Sequence, residues 1–442
     1  MFFVKLCVIF VPLWLVLCFL FPDFLHEGQT MNRRDFLRRS TLLATTPLIP
    51  AFIERTARAA EPEKDTVLVV IEMTGGNDGL NTVIPFRDDN YYKMRPTIGH
   101  PVNTVLKLND SIGIHPSLNT LKQMHDQGAL TVVQGVGYPN PDRSHFESMD
   151  RWHCGEIAAK VSGNGWLAKS VPDLAKSKGG GVPVVHVGTE KLPMACRGTT
   201  QGVFTLNQEQ PFELKLGLPG SEEEDTRKKL LKEVAGLGVN DSQELLPFVQ
   251  RRHLQTYSAF DKLQKVMKES ETERLRGGMA ANTLYAKADL VGRLISQGFG
   301  TRVFYLAIDG FDTHSNQSQT HAGLMQQIDQ AVAVLFNRLR GNGDDKRTLV
   351  MTFSEFGRRA AENGSKGTDH GSGSSMFLVG PGARGGPVGT HPSLTDLTDG
   401  DLKYHTDFRR VYATILDQWL NVDSKTVLGE KFEHMDLLRK RA

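Results

Sequence analysis

Cysteine is scarce, four residues in 442. No pair has Cys-x-x-Cys or Cys/His zinc-finger spacing, which excludes a thiolate-built metal site and leaves carboxylates and histidines as the only candidate ligands. Cys7 and Cys18 fall in an N-terminal apolar run. Cys154 and Cys196 are either one disulfide in an oxidising compartment or two separate buried thiols. A surplus of one charge is also missing, because 52 Lys and Arg meet 50 Asp and Glu. That balance argues against nucleic acid as a partner, and no like-charge block reads as a disordered tail. There is no internal repeat and no Gly-x-Ser-x-Gly elbow of a serine hydrolase. The turn Gly75–Gly79 lacks both the Lys-Ser/Thr of a phosphate loop and the Gly-x-Gly-x-x-Gly of a dinucleotide site, so nucleotide-driven and nicotinamide chemistry are disfavoured.

What remains is an ordinary globular composition, 39% apolar and 23% charged, with 43 glycines and 20 prolines marking many ordered loops. The N-terminus carries two targeting-like segments in series. Phe2 to Leu25 is apolar and broken only by Lys5. From Met31, Asn-Arg-Arg-Asp-Phe-Leu precedes a mildly apolar stretch, Ser40–Ile53, and then Ala57-Arg58-Ala59. Residues 31–59 therefore read as a twin-arginine signal peptide, with the paired arginines, a weak apolar region and an Ala-x-Ala cleavage site. A strongly apolar leader in front would be captured first by the general secretion route. The order favours Met31 as the start and residues 1–30 as an over-extended reading frame; the alternative is a genuine membrane anchor. The expected location is periplasmic or secreted, with the twin-arginine export machinery as a partner and no membrane span in the mature chain.

From Thr66 onward, short apolar runs alternate with helical periodicity, which predicts α/β architecture around a mainly parallel sheet. Strands are predicted at Thr66–Glu72, Leu130–Gln134, Val182–Val187, Arg302–Ile308, Thr348–Thr352 and Ser375–Val379. Helices are predicted after His115-Pro116-Ser117 (with Leu118, Leu121 and Met124 on one face), from Ser144, at His321–Leu339 and at Phe408–Leu420. The region of about 199–297, polar and then acidic around Glu222–Asp225, reads as an inserted helical region within a domain spanning 60–442.

Ligands of parallel α/β sheets bind at the carboxyl ends of the strands, and the residues there are acidic and histidine-rich. Glu72, Asn77 and Asp78 follow the first run; Asp309, Asp312 and His314 follow 302–308; Ser354 and Glu355 follow 348–352; Asp369 and His370 precede the last strand. Carboxylates with imidazoles suit Zn, Mn, Fe, Mg or Ca, and clustering carboxylates without a cation is costly. The simpler reading of each alone is a turn former or a surface histidine. Ser144 sits at a predicted helix N-terminus, where it either serves as a nucleophile or caps the helix with Glu147 completing a capping box. His145 ligates metal, donates a proton or packs. Arg143 and Arg358 are candidate contacts to a phosphate or sulfate.

The strings MNRRDFL, GGNDGLNTVIPF, YPNPDRSHFESMDRW, DGFDTH, SEFGR and TDHGSGSSMFLVG resemble the bacterial exported family known as domain of unknown function 1501, over nearly all of the mature chain. That family looks like a relative of the alkaline phosphatase superfamily, which includes sulfatases and cofactor-independent phosphoglycerate mutases. The resemblance implies a three-layer α/β/α sandwich and two divalent ions at the sheet edge. It implies Ser144 as nucleophile; Asp312, His314 and His370 around one ion with Asp309 beside them; and Glu355 with Glu72 or Asp78 around another. It departs from the relatives' pattern in having Ser354-Glu355 where an Asp-His pair is usual, and no Cys-x-Pro-x-Arg, which disfavours a type I sulfatase. The implied activity is hydrolysis of a small-molecule or glycan phosphate or sulfate ester. The rival is a non-catalytic exported protein that grips an anionic glycan or a partner protein. Intact-mass analysis of the unprocessed precursor is expected to give a product beginning at Met31; one beginning at Met1 overturns that start.

Overall fold

Apolar runs without alternation make central strands, because a strand buried on both faces has no polar side to show. The computed structural model describes residues 65–158, 160–176, 182–198, 203–207, 209, 262–278, 280 and 282–440. In it Val67–Thr74 forms β1, buried except at its last residue. Eight more strands complete a nine-stranded sheet: β2 (Leu130–Gly137), β3 (Val184–Val187), β4 (Val203–Leu206), β5 (Val303–Asp309), β6 (Thr348–Phe353), β7 (Ser374–Val379), β8 (Gly386–Val388) and β9 (Thr406–Asp407). Their order is β8-β2-β7-β6-β1-β5-β3-β4, with β9 on β2. Pairing is parallel except for β7, which runs antiparallel to both β2 and β6. The reversal has a functional consequence. Asp369 and His370 precede β7, and its reversed direction brings them to the same edge as residues that follow the other strands.

Helices cover both faces. On one, α2 (His145–Cys154), α3 (Trp166–Leu174) and α6 (Phe408–Thr414) share a core with alternate residues of the strands, among them Leu68, Val70, Tyr305, Met351 and Phe353. Trp152 is its centre, stacked on Phe408 at 4.2 Å and on Phe353 at 5.6 Å. On the other, α5 (Gln317–Arg340) packs on both α1 (Asn119–Asp126) and α4 (Leu284–Ser296), and α4 packs on β5. The result is a three-layer α/β/α sandwich. α5 buries Leu324, Ile328, Leu335 and Leu339 along one stripe, the periodicity from which it is predicted.

The region expected as an insertion, 199–297, contributes to the main layers at both ends: β4 extends the sheet and α4 covers it. Residues 210–261 between them, like the leader region 1–59, lie outside the described residues. Cys154 and Cys196 are buried free thiols and form no disulfide. Among the described residues no helix is long and apolar enough to cross a membrane.

Beneath the carboxyl edge lies a buried polar layer. Asp78 accepts from the backbone N–H groups of Leu80 and Asn81, forms a fully buried ion pair with Arg95 Nη1 at 2.5 Å, and accepts from Gln317 Nε2. Burial pushes its carboxyl up, but the Arg95 charge and hydrogen bond outweigh this and hold it at about 2. Beside it the rings of His100, His115 and His321 meet edge to face, 4.5 and 5.3 Å apart. His115 Nε2 and His321 Nδ1 have no hydrogen-bond partner. Burial lowers His115 to about 2 and His321 to about 4.

Below pH ~6.5 the unfolded chain takes up these protons and the folded chain refuses them, so both histidines remove stability as pH falls toward 4. Each contributes a slope of about 1.4 kcal/mol per pH unit in that window. Asp78 acts lower: its contribution is present above the ordinary carboxylate range and is lost only as pH falls through about 2. Thermal melts between pH 7 and 4 should show a steep loss of stability, with a shallower slope in His115→Leu. Asp78→Leu, which strands a buried guanidinium, should cost about 3–5 kcal/mol at neutral pH.

Candidate metal centre

Three loops at the sheet edge come together because glycine lets them. Gly75, after β1, has φ +117°, and a Cβ there would lie 2.4 Å from the backbone nitrogen of Asp312, after β5. The buried side chain of Arg358 ties the same loops. It donates to the carbonyls of Gly76 (2.7 Å), Phe311 (3.1 Å), Thr368 (3.0 Å) and Gly75, and to Asp312 Oδ1 at 2.7 Å. Arg358 is therefore a strap of the loops and the counter-charge of Asp312, with its guanidinium turned inward and 1% of the residue exposed. The donors that would meet an anion are largely turned to these loops instead.

Around Asp312 Oδ1 stand three imidazole Nε2 atoms: His314 at 3.1 Å, His370 at 3.2 Å and His145 at 3.5 Å. His314 and His370 Nε2 are 2.9 Å apart. A tetrahedral ion with bonds of about 2.0–2.1 Å separates its ligand atoms by about 3.3 Å, so these gaps have coordination spacing. His145, Asp312 and His370 together satisfy a three-ligand geometry, each atom within 4.8 Å of the others. Each ring is held from behind by its other nitrogen. Nδ1 of His145 lies 2.8 Å from Glu355 Oε1, that of His370 2.9 Å from the Arg143 carbonyl, and that of His314 3.4 Å from Asp369 Oδ1. Metal-binding histidines are oriented in this way by carboxylates and carbonyls. His145 Nε2 is buried and has no hydrogen-bond partner, so the donor set fits a cation.

Electrostatics favour the same reading. Burial raises the Asp312 carboxyl, but the hydrogen bond and charge of Arg358 bring it to about 2, so it is ionised at any working pH. The hydrogen bond to Glu355 raises His145 above its ordinary value, whereas burial lowers His370. Asp312 and His314 are about half exposed, which leaves the centre open on one side.

The acids read from strand ends divide differently from expectation. Glu355 is wholly buried, accepting from Gly75 N at 2.8 Å and from the Ser354 hydroxyl at 2.9 Å; it stands behind His145 rather than in the ligand cluster. Glu72 lies apart, in a buried group with His153 (2.8 Å), Tyr305 and Thr74 (2.8 Å). Burial pushes its carboxyl up, and the His153 charge with the hydrogen bonds from His153, Tyr305 and Thr74 brings it below its ordinary value. Asp78 is committed to Arg95 and Gln317. Asp309 is exposed and accepts from Gly310 N at 2.7 Å, outside the cluster. The sequence motifs do not flag His153, Arg95 or Gln317; their roles depend on contacts across long stretches of chain.

Ser144 is the N-cap residue of α2, one residue before His145, and its side chain makes no capping bond. The capping box with Glu147 is not formed, because the Ser144 N–H that Glu147 would hold is taken by Asp142 Oδ1 at 2.8 Å. The exposed hydroxyl is left for other work. Arg143 is paired with Asp401 Oδ2 at 2.6 Å, its side chain 41% exposed.

Among curated proteins, none matches the chain. Among solved structures it is similar to Ps i-CgsB, at 10% identity over 84% of this chain and 73% of that one, with a TM-score of 0.33. It is also similar to the lipoteichoic acid synthase LtaP from Listeria monocytogenes (8%, 87% and 80%, 0.35) and to the alkaline phosphatase of the Antarctic bacterium TAB5 (12%, 73% and 93%, 0.29). A family model matches residues 65–438, and the chain belongs to that family, described as protein of unknown function DUF1501.

Proposed function

We propose that the chain is an exported, metal-dependent hydrolase of phosphate or sulfate esters. The observation that carries this is the convergence of three imidazole Nε2 atoms on one ionised carboxylate oxygen, each ring braced from behind. His145, His314, His370 and Asp312 would hold a divalent cation, and a donor set with three imidazoles favours Zn or Fe over Mg or Ca. A cation bound there supplies Lewis-acid polarisation of an ester oxygen.

The residues supply the rest. Glu355 and Asp369 orient His145 and His314. Arg358 offsets the Asp312 charge and keeps the loops in register. Ser144, with its hydroxyl free of capping and at the positive end of a ten-residue helix, attacks phosphorus or sulfur as the bond to the ester oxygen breaks; its proton ends on the departing alcohol, and water then cleaves the Ser144 ester to release phosphate or sulfate. Arg143, half exposed, is placed to contact the anion. The substrate is a small-molecule or glycan ester met in the periplasm or outside the cell.

Metal analysis of natively exported protein should find about one divalent ion per chain at this centre, lost in His145→Ala and His370→Ala. Ser144→Ala should keep the ion and lose turnover of aryl phosphates or aryl sulfates by several orders of magnitude. Unchanged turnover removes Ser144 as nucleophile. An ion bound without hydrolysis across an ester panel favours instead a non-catalytic protein that binds an anionic glycan or a partner protein.

A further inference from the structure

We propose that Gln317 is a positioning residue that sets the separation of the two loops carrying Asp312, His314 and His370, and so governs metal affinity without touching the metal. This rests on the reading that these loops hold a cation. Gln317 is the first residue of α5 and is fully buried. Its Oε1 accepts from the hydroxyl of Thr313 at 3.1 Å and from that of Thr368 at 2.6 Å. Thr313 stands between Asp312 and His314; Thr368 immediately precedes Asp369 and His370. A single amide oxygen therefore joins both ligand-bearing loops at positions next to their ligands. The loops also meet directly, Thr368 N donating to the Thr313 carbonyl at 3.1 Å.

The amide has one workable orientation. Asp78, ionised beside Arg95, accepts and cannot donate, so the NH2 side of Gln317 faces it and the oxygen is left for the two hydroxyls. The backbone fixes the same residue from the other side: Gln317 N donates to the Lys366 carbonyl at 2.9 Å, and Asn316 before it has φ +45°. Coordination tolerates errors of only about 0.2 Å in bond length. Loops free to drift by about 0.5 Å would spoil a site whose ligand atoms are otherwise unchanged.

The test is Gln317→Met in the full chain, which keeps the volume and removes the hydrogen bonds. Hydrogen exchange on metal-free protein should show lost protection at 310–316 and 366–371, with β1, β5 and β6 unchanged. Zn²⁺ affinity, by chelator competition, should fall about tenfold or more. Thr368→Val should reproduce the loss and Thr368→Ser should retain wild-type affinity, a contrast that also decides the matter if Gln317→Met does not fold. Wild-type loop protection in Gln317→Met, or Thr368→Val equal to Thr368→Ser in both readouts, overturns the proposal. Wild-type protein that binds no Zn²⁺ overturns the metal reading instead, and loop protection in the metal-free variants still decides the role of Gln317.

Discussion

The buried guanidinium of Arg358 is the interaction on which the functional edge depends. Loops that leave parallel strands carry carbonyls with no ladder partner, and four of these, from Gly75, Gly76, Phe311 and Thr368, point at one side chain. Each would cost about 1–3 kcal/mol if buried unpaired. A neutral donor could not serve so many acceptors in one plane; arginine has five N–H groups in a fixed fork. The positive charge itself needs an anion, and Asp312 supplies it. The residue that organises the backbone therefore also keeps the central carboxylate of the candidate metal centre ionised.

A second constraint follows from that arrangement. With Asp312 ionised, the imidazoles around it must present a lone pair or a proton on demand, and which they do is set by the atom behind each ring. Glu355 draws the Nδ1 proton of His145 toward itself, which leaves Nε2 as the free lone pair. The Arg143 carbonyl does the same for His370, since a carbonyl can only accept. These braces come from the loop after β6, from the loop before α2 and from the chain before β7. The centre is thus assembled only when the sheet is complete.

Much of the fold is legible in the sequence, because a strand buried on both faces must be a continuous apolar run: β1, β2, β5, β6 and β7 each lie within two or three residues of the run that announces them. The direction of β7 is not legible, since an apolar run reads the same either way, and its reversal follows from pairing with β2 and β6. The candidate site is legible at Asp312, His314 and His370, and at His145 with several roles open. It is not legible at Glu72, Asp78 and Glu355. A carboxylate at a strand end announces that charge must be compensated, not by what. The compensating partners, His153 for Glu72, Arg95 for Asp78 and His145 for Glu355, come from other elements and carry no shared spacing. The Ser144–Glu147 box fails for a local reason, competition from Asp142, which spacing also does not show.

How these acids are used bears on how many cations the edge accommodates. Two-metal chemistry at a sheet edge needs a second set of ionised carboxylates with free lone pairs. Asp78 and Glu72 are ionised, yet their oxygens are already taken by Arg95, Gln317 and two backbone N–H groups in one case, and by His153, Tyr305 and Thr74 in the other. Pulling either carboxylate out to an ion would leave a guanidinium or an imidazole stranded in the interior, a loss of several kcal/mol before any coordination bond forms. Glu355 would have to release His145, which is itself a member of the cluster. Among the described residues the acids that could make a second site are those that hold the proposed first one in shape, so a second cation would have to dismantle the charge network on which the first depends.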